Sequence, residues 1–207
     1  MTKVYFIRHG ESEANLRDVV GGRALCSPLT DKGRIQVDSL CELLLTYGVK
    51  FDDIYTSPAI RAIQTADIIK EMLGYAGKVD VSGSLVELCE GEKEGRPKDT
   101  AYTDAEKDKL FLNPHFSVKG GESRYEVGDR MYKWLDQFKD KKGRIAAVTH
   151  CRALQCLMAN LHGSDFIYLE TFRIAPASFT SVYYHPESKL WQVDVRNHFD
   201  FSRPGGR

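Results

Sequence analysis

A chain of 207 residues is long enough to bury a core of its own and is read as one domain, 1–207. Lysine plus arginine and aspartate plus glutamate stand at 29 each, so no overall field draws the chain to nucleic acid or to an anionic membrane, and any anion site must be local. Five cysteines, Cys26, Cys41, Cys89, Cys151 and Cys156, show no C-x-x-C spacing. They suggest neither a disulfide framework nor a zinc knuckle, and a reducing cytoplasmic setting is expected. No uninterrupted apolar run approaches the roughly 20 residues that a spanning helix needs.

In chain order, Val4 to Ile7 have strand character and run into Arg8-His9-Gly10-Glu11. Leu16 to Pro28 reads as loop. Thr30 is the expected N-cap of a helix whose Val37, Leu40, Cys41 and Leu44 fall on one stripe, with an end near Gly48. Asp53 to Thr56 is a short strand. Ser57 is then expected as cap and Pro58 as the first helical residue, with Ala59, Ala62, Ile63 and Ala66 on the buried face and Arg61 in the first turn. Lys78 to Val81 is read as a strand and Leu85 to Glu87 as extended. From Arg96 to Gly121 the chain is polar and punctuated by Pro97, Pro114 and Gly120-Gly121, a lid-like insertion with room for a short helix from Ala105 to Leu112. Ser123 and Glu126 form a capping box ahead of Val127, Met131, Trp134, Leu135 and Phe138. Arg144 to Thr149 has the composition of a central strand and delivers His150. A helix follows with Leu154, Leu157, Met158 and Leu161 on one face, and the tail pairs two strands, Phe179 to Tyr184 and Trp191 to Val195. The alternation predicts a three-layer α/β/α sandwich with a largely parallel central sheet.

Arg8 and His9 therefore stand at the carboxyl end of an apolar strand, where open α/β sheets bind ligands. An arginine there forks onto phosphate oxygens, a neutral imidazole acts as a nucleophile, and Gly10 is expected to let the backbone approach a ligand. The same topology should bring His150 to face His9.

These residues resemble the histidine phosphatase superfamily, the phosphoglycerate mutase-like family, through spaced matches in the family's order. They are Arg8-His9-Gly10-Glu11 with Asn15; Ser57, Arg61, Gln64, Thr65 and Ala66 of S-x-x-x-R-x-x-Q-T-A; Leu85 and Glu87 of L-x-E; Gly120 to Ser123 of G-G-E-S; and Val148-Thr149-His150. The resemblance implies that His9 takes the phosphoryl group, that Glu87 donates the proton, and that Arg8, Arg61 and His150, aided by Asn15, cradle the phosphate. Two departures stand out. His150 is followed by Cys151-Arg152 where many relatives have glycine, so the pocket is narrowed or Arg152 points away along the helix; and Gly22 to Cys26 lacks the acidic or amide residue usual in that loop. Cys151 is read as a bystander thiol whose backbone N–H faces phosphate. Glu11 is read as a strut for the loop, and His115, His162, His185 and His198 as surface or packing residues.

The stretch from Glu87 to Gly95 resembles the E-x-x-x-G-x-x-E-G of the family's phosphatases, and the insertion that follows is short, without the adjacent arginines of cofactor-dependent mutases. The resemblance thus implies a phosphomonoesterase that works through a phosphohistidine on a small phosphorylated metabolite, without metal or other cofactor, as a monomer or homodimer, with no nucleic-acid or membrane partner. A phosphoglycerate or bisphosphoglycerate mutase is the alternative enzyme. A non-catalytic phospho-ligand binder is the alternative of another class, disfavoured because a binder has no need of Glu87. Since Glu87 has to carry a proton when it meets the leaving oxygen, turnover is expected to fall on the alkaline side.

Overall fold

In the computed structural model, residues 1–17, 19–23, 26–163 and 174–199 are described. Six strands, β1 (Thr2–Arg8), β2 (Asp53–Thr56), β3 (Val79–Val81), β4 (Gly143–Thr149), β5 (Phe179–His185) and β6 (Leu190–His198), form one sheet in the order β3-β2-β4-β1-β5-β6. The first four are mutually parallel, and β5 and β6 continue the sheet antiparallel. The helices are α1 (Glu13–Leu16), α2 (Asp31–Thr46), α3 (Ile60–Met72), α4 (Asp104–Leu112), α5 (Arg124–Asp136) and α6 (Cys151–His162). Within the loop expected from Leu16 to Pro28, residues 18, 24 and 25 lie outside the described residues.

The three layers follow from period-two alternation on strands covered on both faces. On β1, Val4 and Phe6 join the core beneath α5 and α6, while Tyr5 and Ile7 join the core beneath α2 and α3. On β4, Ile145 and Ala147 face the first of these cores, Ala146 and Val148 the second. Leu154 and Leu157 of α6 are fully buried, and truncating either to alanine would cost about 2–5 kcal/mol. Among the described residues no helix is long and apolar enough to cross a membrane.

Local chemistry sets most boundaries. Thr30 caps α2 by accepting from Gly33 N at 2.9 Å, and Gly48 follows the helix at φ +61, a conformation that suits glycine. Ser123 and Glu126 make the expected capping box at the start of α5. Three expectations are corrected. The start of α3 lies two residues later than expected, with Ala59 at the N-cap and no side-chain cap bond; the Ser57 hydroxyl accepts from Ala59 N at 3.3 Å and meets His150 Nε2 at 2.7 Å, so it braces the turn ahead of the helix. Leu85 closes a short 3₁₀ turn (Gly83–Leu85), and extended backbone resumes at Val86. The Lys78 strand begins at Val79. Within 96–121 the expected short helix is α4, capped by Thr103 and Glu106, and it has no buried residue.

Candidate active site

The parallel register assembles the site. Arg8 pairs with Thr149 across β1 and β4, and Thr56 pairs with Val148 across β2 and β4. The next residues, His9, His150 and Ser57, therefore leave the sheet at one edge. The two imidazoles lie with ring centroids 5.1 Å apart at 63°. Arg61 reaches them from the first turn of α3: its Nε donates to His9 Nε2 at 3.2 Å, and its Nη2 lies 3.3 Å from His150 Nδ1.

Each ring's tautomer follows from what its partners can do. His9 Nδ1 lies 2.6 Å from the Gly10 carbonyl; a carbonyl only accepts, so Nδ1 carries the proton and Nε2 presents its lone pair. A guanidinium only donates, so His150 Nδ1 accepts from Arg61 and Nε2–H donates to Ser57 Oγ. Both histidines are buried. Burial first, then the Arg61 and Arg8 charges, hold His9 well below the ordinary imidazole range, against the Gly10 hydrogen bond. For His150 burial again leads, followed by His9, Arg61, Arg130 and Arg8. Both rings are thus neutral at physiological pH.

Gly10 has a packing role that the sequence did not reveal. A Cβ there would stand 2.4 Å from the Gly33 carbonyl oxygen and 3.0 Å from Val37, so packing on α2 by itself requires the glycine. Thr65 secures the same turn, accepting from Gly10 N at 3.3 Å while donating to Arg61 O at 2.8 Å. Glu11 does act as a strut, accepting from Thr30 Oγ1 at 3.0 Å and pairing with Lys32 at 3.2 Å.

A cavity of about 440 Å³ opens over these groups, lined by Arg8, His9, Asn15, Arg61, Glu87 and Cys151 among others. Arg8 donates through Nη1 to the Ile174 carbonyl, and its buried Nε has no partner among the described residues. Asn15 Oδ1 accepts from Ser12 N at 3.0 Å, so its NH2 is the group left for the cavity. Glu87 Oε1 accepts from Leu88 N at 2.9 Å and Ala153 N at 2.8 Å, and Oε2 from Arg152 N at 3.2 Å. The carboxylate thus takes the second and third amides of α6, and the first belongs to Cys151, which also lines the cavity. Burial raises the Cys151 thiol against the pull of Arg8, so it stays protonated and is a poor nucleophile.

Arg152 does not point away. It lines the cavity, as do Lys98, Glu90 and Tyr102. Of the acidic run after Glu87, Glu90 accepts from Tyr102 Oη at 2.5 Å, and Glu94 Oε1 accepts from both Glu90 N and Arg23 N at 3.0 Å. Sequence reasoning missed Ser57 as the partner of His150, since a serine before proline reads as a cap. It also missed Arg130, an arginine of α5 outside every motif. His115 stacks on Tyr125 with centroids 4.4 Å apart, a packing role as expected.

Residues 4–197 match the model of the histidine phosphatase superfamily, branch 1. The chain belongs to the histidine phosphatase superfamily. It is 31% identical to "Probable phosphoglycerate mutase GpmB" of Cronobacter sakazakii over 203 residues, 94% of this chain and 92% of that one. It is equally 31% identical to "Putative phosphoserine phosphatase 2" of Hydrogenobacter thermophilus over 193 residues, 90% of this chain and 92% of that one. Among solved structures, Bacillus stearothermophilus YhfR superposes with a TM-score of 0.85 at 26% identity, covering 97% of this chain and 98% of that one. This histidine phosphatase therefore has relatives named for hydrolysis and for mutase activity, and its α/β fold is that of the superfamily. Among the described residues, no group of three or more histidine, cysteine or acidic side chains is placed to hold a metal ion.

Proposed function

We propose that this histidine phosphatase is a phosphomonoesterase that forms a phosphohistidine on His9 and then hydrolyses it. The observation that carries the reading is Arg61 donating to the lone pair of a buried, neutral His9 whose Nδ1 proton is held by a backbone carbonyl. A phosphate dianion entering the cavity draws the Arg61 donors onto its equatorial oxygens and frees Nε2. Arg8, the Asn15 NH2 and the Cys151 N–H supply further donors. His150 joins them without gaining charge in its other neutral tautomer, reached when Nε2 loses its proton to water and Nδ1 takes one from water, after which the Ser57 hydroxyl turns to donate to Nε2. Nε2 of His9 attacks phosphorus in line, the P–O ester bond breaks, and Glu87 passes its proton to the leaving oxygen. Water next attacks the phosphohistidine, Glu87 takes a proton from it, and the N–P bond returns its pair to His9. The positive charge that phosphoryl transfer requires comes from guanidinium groups, so we propose that no metal takes part.

The substrate is proposed to be a small phosphorylated metabolite, since cavity volume remains beyond the cradle. The segment 96–121, which contributes Lys98 and Tyr102 to the cavity wall, is proposed as its lid. The 31% identity to a protein named as a phosphoglycerate mutase supports mutase chemistry as a second reading, in which the phosphoryl group returns to another hydroxyl.

The test is turnover of an aryl phosphate with chelator present, together with trapping of an acid-labile, base-stable phosphoryl group. Both should be present in the wild type and lost in His9→Ala. Undiminished turnover in that variant overturns the reading, and conversion of 3-phosphoglycerate to 2-phosphoglycerate faster than its hydrolysis replaces it with the mutase.

A further inference from the structure

Two guanidinium groups from distant parts of the chain converge on the backbone of the acid-bearing residue. Arg23 Nε and Arg130 Nη2 each donate to the Glu87 carbonyl oxygen at 3.2 Å. Both arginines are held by one carboxylate, Glu122 of the Gly120 to Ser123 motif. Arg23 Nη2 pairs with Glu122 Oε1 at 2.6 Å, while Arg130 reaches Oε1 through Nε at 3.1 Å and Oε2 through Nη2 at 3.2 Å. Arg130 also donates to Ser84 O at 2.8 Å. Glu122 binds the backbone beyond Glu87 as well, accepting from Cys89 N at 3.2 Å and donating its own N–H to Cys89 O at 2.9 Å. The backbone on either side of the carboxyl group is therefore clamped, which matters because Glu87 has to meet a leaving oxygen with its carboxyl on the α6 amides.

We infer that Glu122 is a positioning residue for proton donation: through Arg23 and Arg130 it fixes the Glu87 backbone and so sets where the Glu87 proton is delivered. The inference rests on the reading of Glu87 as general acid. Glu122 is not among the residues that line the phosphate cavity, so its loss should injure the step that needs the proton more than the step that binds phosphate. Arg23 gives the clamp a second use. It ends the segment Val19 to Gly22, which lines the cavity, so the same ion pair ties this cavity wall to the acid.

The experiment compares kcat/KM for two esters that differ in their need for a proton. An alkyl phosphate expels a strongly basic alkoxide and needs Glu87; 2,4-dinitrophenyl phosphate expels a weakly basic phenolate and does not. In Glu122→Gln the ratio of aryl to alkyl kcat/KM should rise by about tenfold or more, and Arg23→Ala, at a half-exposed position, should raise it in the same direction. Glu87→Gln gives the reference rise, and adding Glu122→Gln to it should raise the ratio no further, because the two act as a unit. Equal losses on both esters in Glu122→Gln, or an unchanged ratio in both Glu122→Gln and Arg23→Ala, overturn the inference while a raised Glu87→Gln ratio leaves the general acid standing. A Glu87→Gln ratio equal to wild type overturns the general acid and the inference together. Should Glu122→Gln fail to fold, the Arg23→Ala ratio alone decides.

Discussion

Arg61 and His9 are joined by a hydrogen bond from the guanidinium Nε to the imidazole Nε2, 3.2 Å long and buried. Under the proposed mechanism, the arginine that holds the phosphate satisfies the nucleophile's lone pair until the phosphate arrives. Lysine cannot reproduce the two-pronged geometry that also reaches His150. Arg61→Lys should lower kcat/KM by about 10²–10³, read by steady-state kinetics, while the far-ultraviolet spectrum of the fold is kept.

Burial and the arginine charges depress both His9 and His150 below the ordinary value of 6.5. Below that pH the unfolded chain takes up protons on these rings that the folded chain refuses, so their contribution to stability is present above it and is lost as pH falls through and below it. The Tm of the ligand-free protein should therefore drop on acidification from pH 6.5 downwards. The drop should be smaller in His9→Asn and His150→Asn. An equal drop in these variants would show that other groups govern acid unfolding.

Ser57 accepts the hydrogen bond from His150 Nε2 in the buried interior. Ser57→Ala leaves that N–H without its acceptor, at a cost of about 1–3 kcal/mol, to be read by urea denaturation. Under the proposed mechanism it also removes the hydroxyl that donates to Nε2 when His150 presents Nδ1–H to phosphate. A fall in kcat/KM of about tenfold, partly restored in Ser57→Thr, is the expected kinetic result.

Gly10→Ala places a methyl group 2.4 Å from the Gly33 carbonyl oxygen, which is backbone and cannot swing aside. The strain should cost about 1–3 kcal/mol and displace the Gly10 carbonyl that orients His9. Stability and phosphohistidine formation should fall together. A variant with wild-type stability would show that α2 can shift to admit the methyl.

Much of the fold could be read locally. The alternation on β1 and β4, the Thr30 cap and the Ser123 box each depend on residues close in the chain, and each is found as expected. The spaced family matches likewise marked His9, Arg61 and Glu87, which line one cavity, and His150, which is not in its lining and lies behind Arg61. The start of α3 differs for a physical reason: Ser57 braces the turn ahead of the helix through Ala59 N and also meets an imidazole 93 residues away, and only the register of β2 against β4 brings that imidazole there.

Hydrophobic period and motif spacing are properties of the chain, so the order of amino acids was enough to give the layers, the family and the candidate side chains of the site. Packing in three dimensions was needed to show which protons those side chains carry, why Gly10 is a glycine, and that Arg23, Glu122 and Arg130 meet at the Glu87 carbonyl. Tautomers, desolvation and convergent hydrogen bonds belong to the space between elements, and no short stretch of chain contains that space.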